Sequence, residues 1–269
     1  MREQETHDHT ASLLAPCDPL PVEMVNADGR GRVVLICEHG GRHVPRALKN
    51  LGLSPEALEQ HIAWDIGAAG VARSISQLLD APLLLQPYSR LVIDCNRTLS
   101  SPDLIPDVAD GTPVPGNRNL CDTDRKLRYD SILEPFHRAV TEVLDARPEP
   151  QRTVLLMIHS FTPRLLSQGG DRAMHLAFLY NRGPRLGRAM VAALRATQPD
   201  LVVAENEPYE CNDLTDYAVP IHAEPRGLLH ALVEIRNDQI RTAEGQETFA
   251  RLLAQALTRA LVSLEETTR

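Results

Sequence analysis

The stretch RVVLICEHGGRHVP, residues 32–45, decides the reading of the fold. Val33 to Ile36 form an apolar run with no polar alternation, the pattern of a strand covered on both faces. The run ends at Glu38-His39-Gly40-Gly41. A buried strand thus delivers a carboxylate and an imidazole to its exit, followed by two glycines that let backbone or substrate approach closely. His39 and His43 are four apart, as in helical zinc motifs. However, those motifs need a helix with a glutamate between the histidines. Here Gly40, Gly41 and Arg42 intervene, Val44-Pro45 follows, and glycine and proline both oppose a helix. A turn leaving a strand is the better reading, with His39 at the strand end and His43 as loop support.

Working outward, similar runs predict strands at 82–86, 90–95, 153–159, 173–180, 201–204 and 229–236, and helical spacing predicts helices over 55–80, 125–146, 184–197 and 245–265. In the third of these helices, Leu186, Met190, Val191 and Leu194 share one face. Alternating strands and helices imply a mostly parallel sheet covered on both faces. Residues 1–26 read as a polar tail or an edge-covering arm, and 27–269 as a single α/β domain. Residues 98–124, rich in Pro, Asp, Gly and Ser, are too long for a simple connection. They read as a lid or a passive surface excursion.

Composition excludes several classes. The 269 residues carry a net charge of −8, and the Lys and Arg residues are spread out, so the electrostatic footprint of a nucleic-acid binder is missing. No run approaches the length of a membrane span, and the N-terminus lacks the pattern of a signal peptide. The five cysteines are scattered without a CxxC pair, which points to reduced thiols and a cytoplasmic protein.

In doubly wound sheets, sites form at the carboxyl ends of parallel strands. Four predicted strands end in polar residues: Glu38-His39, then Asp94 to Arg97, then His159, then Glu234 to Asp238. Convergence of these on one cleft would suit a metal-assisted hydrolase. Each residue also has a plainer reading. His159 alone reads as a satisfied core histidine. Glu234 is paired with Arg236 or Arg226, or else tuned as a general base. Arg97 bridges Asp94 or receives a carboxylate through its planar fork. Asp65 caps the helix that follows it, or serves as a ligand.

EHGG, WDIGA (64–68), SRLVIDCNR (89–97), HSF (159–161) and VEIRND (233–238), in that order, resemble the N-formylglutamate amidohydrolase family, over roughly residues 31–240. That family looks like a relative of the zinc carboxypeptidases. The resemblance implies a zinc-exopeptidase-like, three-layer α/β/α fold with a mixed, mostly parallel central sheet, and one zinc ion held by His39 and His159. It also implies Asn96 and Arg97 as receptors for a substrate carboxylate and Glu234 as general base. Where the carboxypeptidases place a glutamate ligand three residues after the first histidine, this chain has Arg42, which cannot ligate a metal. Asp65 is the first choice for the missing ligand, with Glu38 and His43 behind it. Arg90 or Arg97 would stabilise the oxyanion, and Arg42 and Arg236 could join the carboxylate receptor. The expected partner is a small acidic N-acyl amino acid. Two alternatives stand beside this: a carboxypeptidase or amidase acting on another acyl-amino acid, and a metal-free binding protein on a degenerate hydrolase scaffold.

Overall fold

The computed structural model describes residues 12–167 and 169–266. In chain order its strands are β1 (Glu23–Val25), β2 (Val33–Cys37), β3 (Leu83–Leu85), β4 (Val108–Ala109), β5 (Thr112–Pro113), β6 (Val154–Phe161), β7 (Leu176–Leu179), β8 (Val203–Glu205) and β9 (Leu229–Arg236). The helices are α1 (Pro55–Leu58), α2 (Ala68–Leu79), α3 (Asp122–Arg128), α4 (Glu134–Asp145), α5 (Arg185–Thr197) and α6 (Ala243–Glu266).

Seven strands make the central sheet, in the order β1-β3-β2-β6-β9-β7-β8. Strands β3, β2, β6 and β9 run parallel at its centre. β1 joins one edge antiparallel to β3, and β7 lies antiparallel to β9 with β8 parallel beyond it. The sheet is therefore mixed and mostly parallel, as expected. Its two faces divide the long apolar runs between them. Leu35, Leu156, Ile158 and Val233 pack under α2, α5 and α6, while Val34, Ile36, Leu155 and Met157 pack toward α4. Each fully buried aliphatic side chain of this kind contributes about 1.5–3 kcal/mol, which explains the lack of polar alternation in β2, β6 and β9. No helix among the described residues is long and apolar enough to cross a membrane, and all five cysteines are free.

Three expectations need correction. Residues 90–95 do not form a strand. Leu91, Val92, Ile93 and Cys95 are buried as a strand's would be, but their backbone turns back on itself, with Val92 N donating to Ser89 O and Asp94 N to Leu104 O. Apolar side chains, not sheet pairing, account for this run; periodicity alone does not separate the two cases. The helix expected over 55–80 breaks after α1 and resumes at α2. Gly67, at φ +84°, stands at the break, and a Cβ there would meet Ile240 O at 2.2 Å. Residues 98–124 are not structureless either. They hold the β4–β5 hairpin, two short 3-10 turns and the start of α3.

Buried Arg128 on α3 fastens this excursion to the residue 90–97 segment. Its Nη1 donates to Val92 O and to Asn117 Oδ1, and Asn117 Nδ2 donates to Leu91 O. A second buried brace lies under the same segment. His137 Nε2 is 2.7 Å from Cys95 O, and its Nδ1 is 2.9 Å from His222 Nε2. Burial depresses His137 to about 3 and His222 to about 4. Both stay neutral in the fold down to those values, whereas the unfolded chain takes up protons below about 6.5. Unfolding therefore binds protons, and stability should fall as pH drops from about 6.5 toward 4. Urea midpoints at pH 7 and pH 5 test this. The fall should shrink in His137→Gln, and an equal fall in both proteins would refute the assignment.

Candidate active site

The site is assembled at the carboxyl ends of β2, β6 and β9. Cys37 ends β2, and Glu38 and His39 follow it, both buried. Gly41 is required next because a Cβ there would overlap Pro87 O at 2.0 Å. His159 lies on β6 directly opposite Glu234 on β9. Asp65 sits in the gap between α1 and α2, where its N–H donates to His39 O. Its side chain does not cap α2. Oδ2 instead accepts from Ser160 N and points at the two histidines.

His39 Nδ1, His159 Nδ1 and Asp65 Oδ2 converge on one point. The Nδ1 atoms are 3.2 Å apart, and Oδ2 is 3.3 Å from that of His39 and 2.9 Å from that of His159. Each imidazole is backed by a carboxylate on its far side. Asp94 Oδ1 lies 2.7 Å from His39 Nε2, and Glu38 Oε2 lies 3.1 Å from His159 Nε2, off the line of a hydrogen bond. This is the carboxylate–histidine arrangement that fixes the tautomer of a metal-binding imidazole. With the Nε2 protons directed at Asp94 and Glu38, both Nδ1 lone pairs face the Asp65 carboxylate. Three acceptors aimed at one another in a buried place repel unless a cation or proton stands between them. Ligands about 2.0–2.1 Å from zinc at tetrahedral angles stand about 3.3 Å apart, close to the edges of this triangle. The three residues form a group that could hold a metal ion.

The electrostatics favour positive charge among these atoms. Burial alone would raise Asp65, but the His39 charge and bonds from both histidines hold its carboxyl well below the usual range. Burial would lower His159, yet Glu38 and Asp65 raise it well above an ordinary histidine. Asp94, desolvated too, is held low by Arg90 and His39. Glu234 differs. Burial pushes it up to about 7, and its Oε2 has no hydrogen-bond partner. A buried carboxyl poised near neutrality beside this triangle suits proton transfer.

Arg90 and Arg97 line a 290 Å³ cavity with Asp94, His61 and Tyr209. Arg90 Nη2 donates to Asp94 Oδ2 at 2.6 Å, and its Nη1 is 3.6 Å from Asp65 Oδ1. Arg97 Nη1 donates to the carbonyls of Asn96 and Thr215. The side chain of Asn96 is committed to the fold, with Oδ1 accepting from Tyr217 N and Ala218 N. Arg42 turns outward to Glu59 and lies over Trp64. Arg236 bonds Asp238 and the carbonyls of Arg172 and Ala173, and Arg226 pairs with Asp145. None of these three is brought to the triangle. Glu38 stands behind His159 rather than among the converging atoms, and His43 faces Asp18 at the surface.

Sequence reasoning passed over Tyr209 and Arg172. Tyr209 follows β8, whose exit, ENEPY (205–209), is as polar as the four strand ends that drew attention. Arg172 Nη1 donates to Tyr209 Oη at 2.9 Å, and its guanidinium lies over the Tyr209 ring. Burial and the nearby charge of Glu234 raise the Tyr209 phenol.

A mixed α/β sheet that gathers two histidines, carboxylates and arginines at the carboxyl ends of its central strands brings together the groups a hydrolase uses. Residues 31–241 match the family described as N-formylglutamate amidohydrolase, and the chain belongs to that family. Gene product Atu2144 from Agrobacterium tumefaciens is similar over 94% of this chain and 99% of its own, with 36% identity and a TM-score of 0.89. N-formylglutamate amidohydrolase from Ralstonia eutropha shares the fold at 20% identity and a TM-score of 0.66, over 91% of this chain and 98% of its own. Among curated proteins, none matches the sequence.

Proposed function

We propose that the protein is a zinc-dependent amidohydrolase that cleaves an N-formyl or N-acyl acidic amino acid such as N-formylglutamate. Water adds to the acyl carbon, the C–N bond breaks, and formate and the free amine leave. The observation that carries this reading is the convergence of His39 Nδ1, His159 Nδ1 and Asp65 Oδ2 beside Glu234, whose free oxygen has no other employment. A zinc ion held by those three residues would supply positive charge that acidifies water and polarises the acyl oxygen. Glu234 takes the water's proton and returns it to the departing nitrogen. Arg97, with Arg90, draws the substrate carboxylate into an otherwise acidic protein. Buried Asp94 and Glu38 hold the two imidazoles in register throughout.

Metal analysis of protein purified without chelator, followed by a panel of N-formyl and N-acetyl amino acids, tests the reading. One zinc per chain and fastest turnover of the N-formyl acidic substrates are expected. No metal after zinc loading, together with no hydrolysis of any member, would sink it. Preference for another acyl group would move the enzyme to an amidase of different substrate.

Tyr209 has a part in the same site. Arg172 occupies an acceptor position on the phenol oxygen, which leaves the phenol hydrogen free for a substrate oxygen in the cavity. Tyr209→Phe should lower kcat/KM by about tenfold to a hundredfold, because oxyanion donors commonly contribute that much or more. Zinc content should not change. Unaltered kinetics in this variant would remove Tyr209 from the mechanism.

A further inference from the structure

Far from the catalytic edge, four arginines surround a separate cavity of 190 Å³. Arg30, Arg32, Arg147 and Arg152 line it, with Glu149 as the carboxylate in its wall. Arg32 immediately precedes β2, Arg152 lies two residues before β6, and Val154 N donates to Arg32 O. The cavity therefore lies at the opposite ends of the strands that carry His39 and His159.

The charges there do not balance. Arg32 Nη1 donates to Glu265 and its Nε to Arg152 O. Arg152 Nη1 donates to Glu149. Arg147 spends its Nη atoms on the neutral carbonyls of Gly29 and Gly31. The backbone N–H of Arg30 donates to Asp80, whose carboxyl is held low by Asn26, by that bond and by the Arg30 charge, while the Arg30 guanidinium donates to no carboxylate among the described residues. Four positive charges thus face three carboxylates, Asp80, Glu149 and Glu265, leaving one positive charge unmatched in a chain whose net charge is −8. Like charges so gathered repel unless an anion stands among them.

We infer that this cavity is a binding site for a phosphate group, distinct from the catalytic centre. Planar guanidinium forks match the oxygens of a tetrahedral oxyanion, and Arg is the side chain suited to such bidentate contacts. The volume equals about six waters at roughly 30 Å³ each, which suits an inorganic phosphate or the phosphate of a small monoester. Arg30 and Arg152 supply solvent-facing donors, while Arg147, bonded to the carbonyls of Gly29 and Gly31, forms part of the wall. Phosphate binding there would also tie the turn before β2 to the turn before β6.

Isothermal titration of inorganic phosphate, and separately of glycerol phosphate, at constant ionic strength tests the site. Saturable one-to-one binding is expected, weakened about tenfold or more in both Arg30→Gln and Arg152→Gln. Neither side chain is buried in the fold, so both variants should melt as the parent does without phosphate. Binding of inorganic phosphate alone would identify free phosphate as the ligand, and comparable binding of the monoester would identify a phosphorylated metabolite. Non-saturable heats, or equal affinity in the parent and both variants, would overturn the proposal.

Discussion

Glu234→Gln should keep its metal and lose on the order of 10³-fold or more in kcat. The substitution preserves volume and replaces a carboxyl whose Oε2 has no hydrogen-bond partner, so it opens no cavity and strands no buried donor's acceptor. It removes a carboxyl that burial has pushed up to about 7. General base catalysis commonly contributes about 10²–10⁴, and in the proposed mechanism the same group serves twice, first accepting the water's proton and then returning it to the amine. Since Glu234 is not among the three converging atoms, zinc stoichiometry should be unchanged. The split between these two readouts is the content of the prediction. A variant that turned over at the parental rate would assign the base elsewhere. One that lost zinc as well as activity would make Glu234 a ligand.

Parts of this architecture were legible in the sequence because single physical terms dominate them. β2, β6 and β9 are buried on both faces, so hydrophobicity alone writes their sequences, and their polar exits stand out. His39, His159 and Glu234 could be picked out for that reason, and Asp65 because the family resemblance left a ligand place open and WDIGA stands ahead of a helical pattern. Residues 90–95 misled because burial without sheet pairing has the same composition as a central strand. Their position depends on Arg128 and His137, contributed from 33 or more positions downstream and invisible to local pattern. The arginines misled differently. A guanidinium can satisfy carboxylates, carbonyls or a substrate equally well, so its employment is settled by whichever partner folds nearest. Arg236 found Asp238 and a run of carbonyls, and Arg42 found Glu59 and Trp64, whereas Arg90 was left facing the cavity. Tyr209 escaped notice because irregular backbone brings it back over the sheet edge, and no periodicity marks such a return.

Asp65→Asn should abolish tight metal binding, and activity with it, while leaving the chain folded. Asparagine is nearly isosteric, so packing around residue 65 persists, and the backbone bond from its N–H to His39 O does not involve the side chain. What disappears is the only negative charge among the three converging donors. An amide oxygen is a much poorer ligand for zinc than a carboxylate. Two imidazoles alone should then hold the ion at least about a hundredfold more weakly, the scale at which even outer-shell changes act on such sites. Stability offers a readout independent of turnover. A ligand present at 1,000 times its dissociation constant adds about 4 kcal/mol to the folded state, which corresponds to a melting shift on the order of 10 °C for a chain of this size. Chelation should therefore lower the melting temperature of the parent protein by about that amount and leave Asp65→Asn nearly unmoved. His39→Gln and His159→Gln should follow the same pattern, because each removes another edge of the triangle. If Asp65→Asn retained one zinc per chain through dialysis and showed the parent's full response to chelator, the ion would have to be held by other residues.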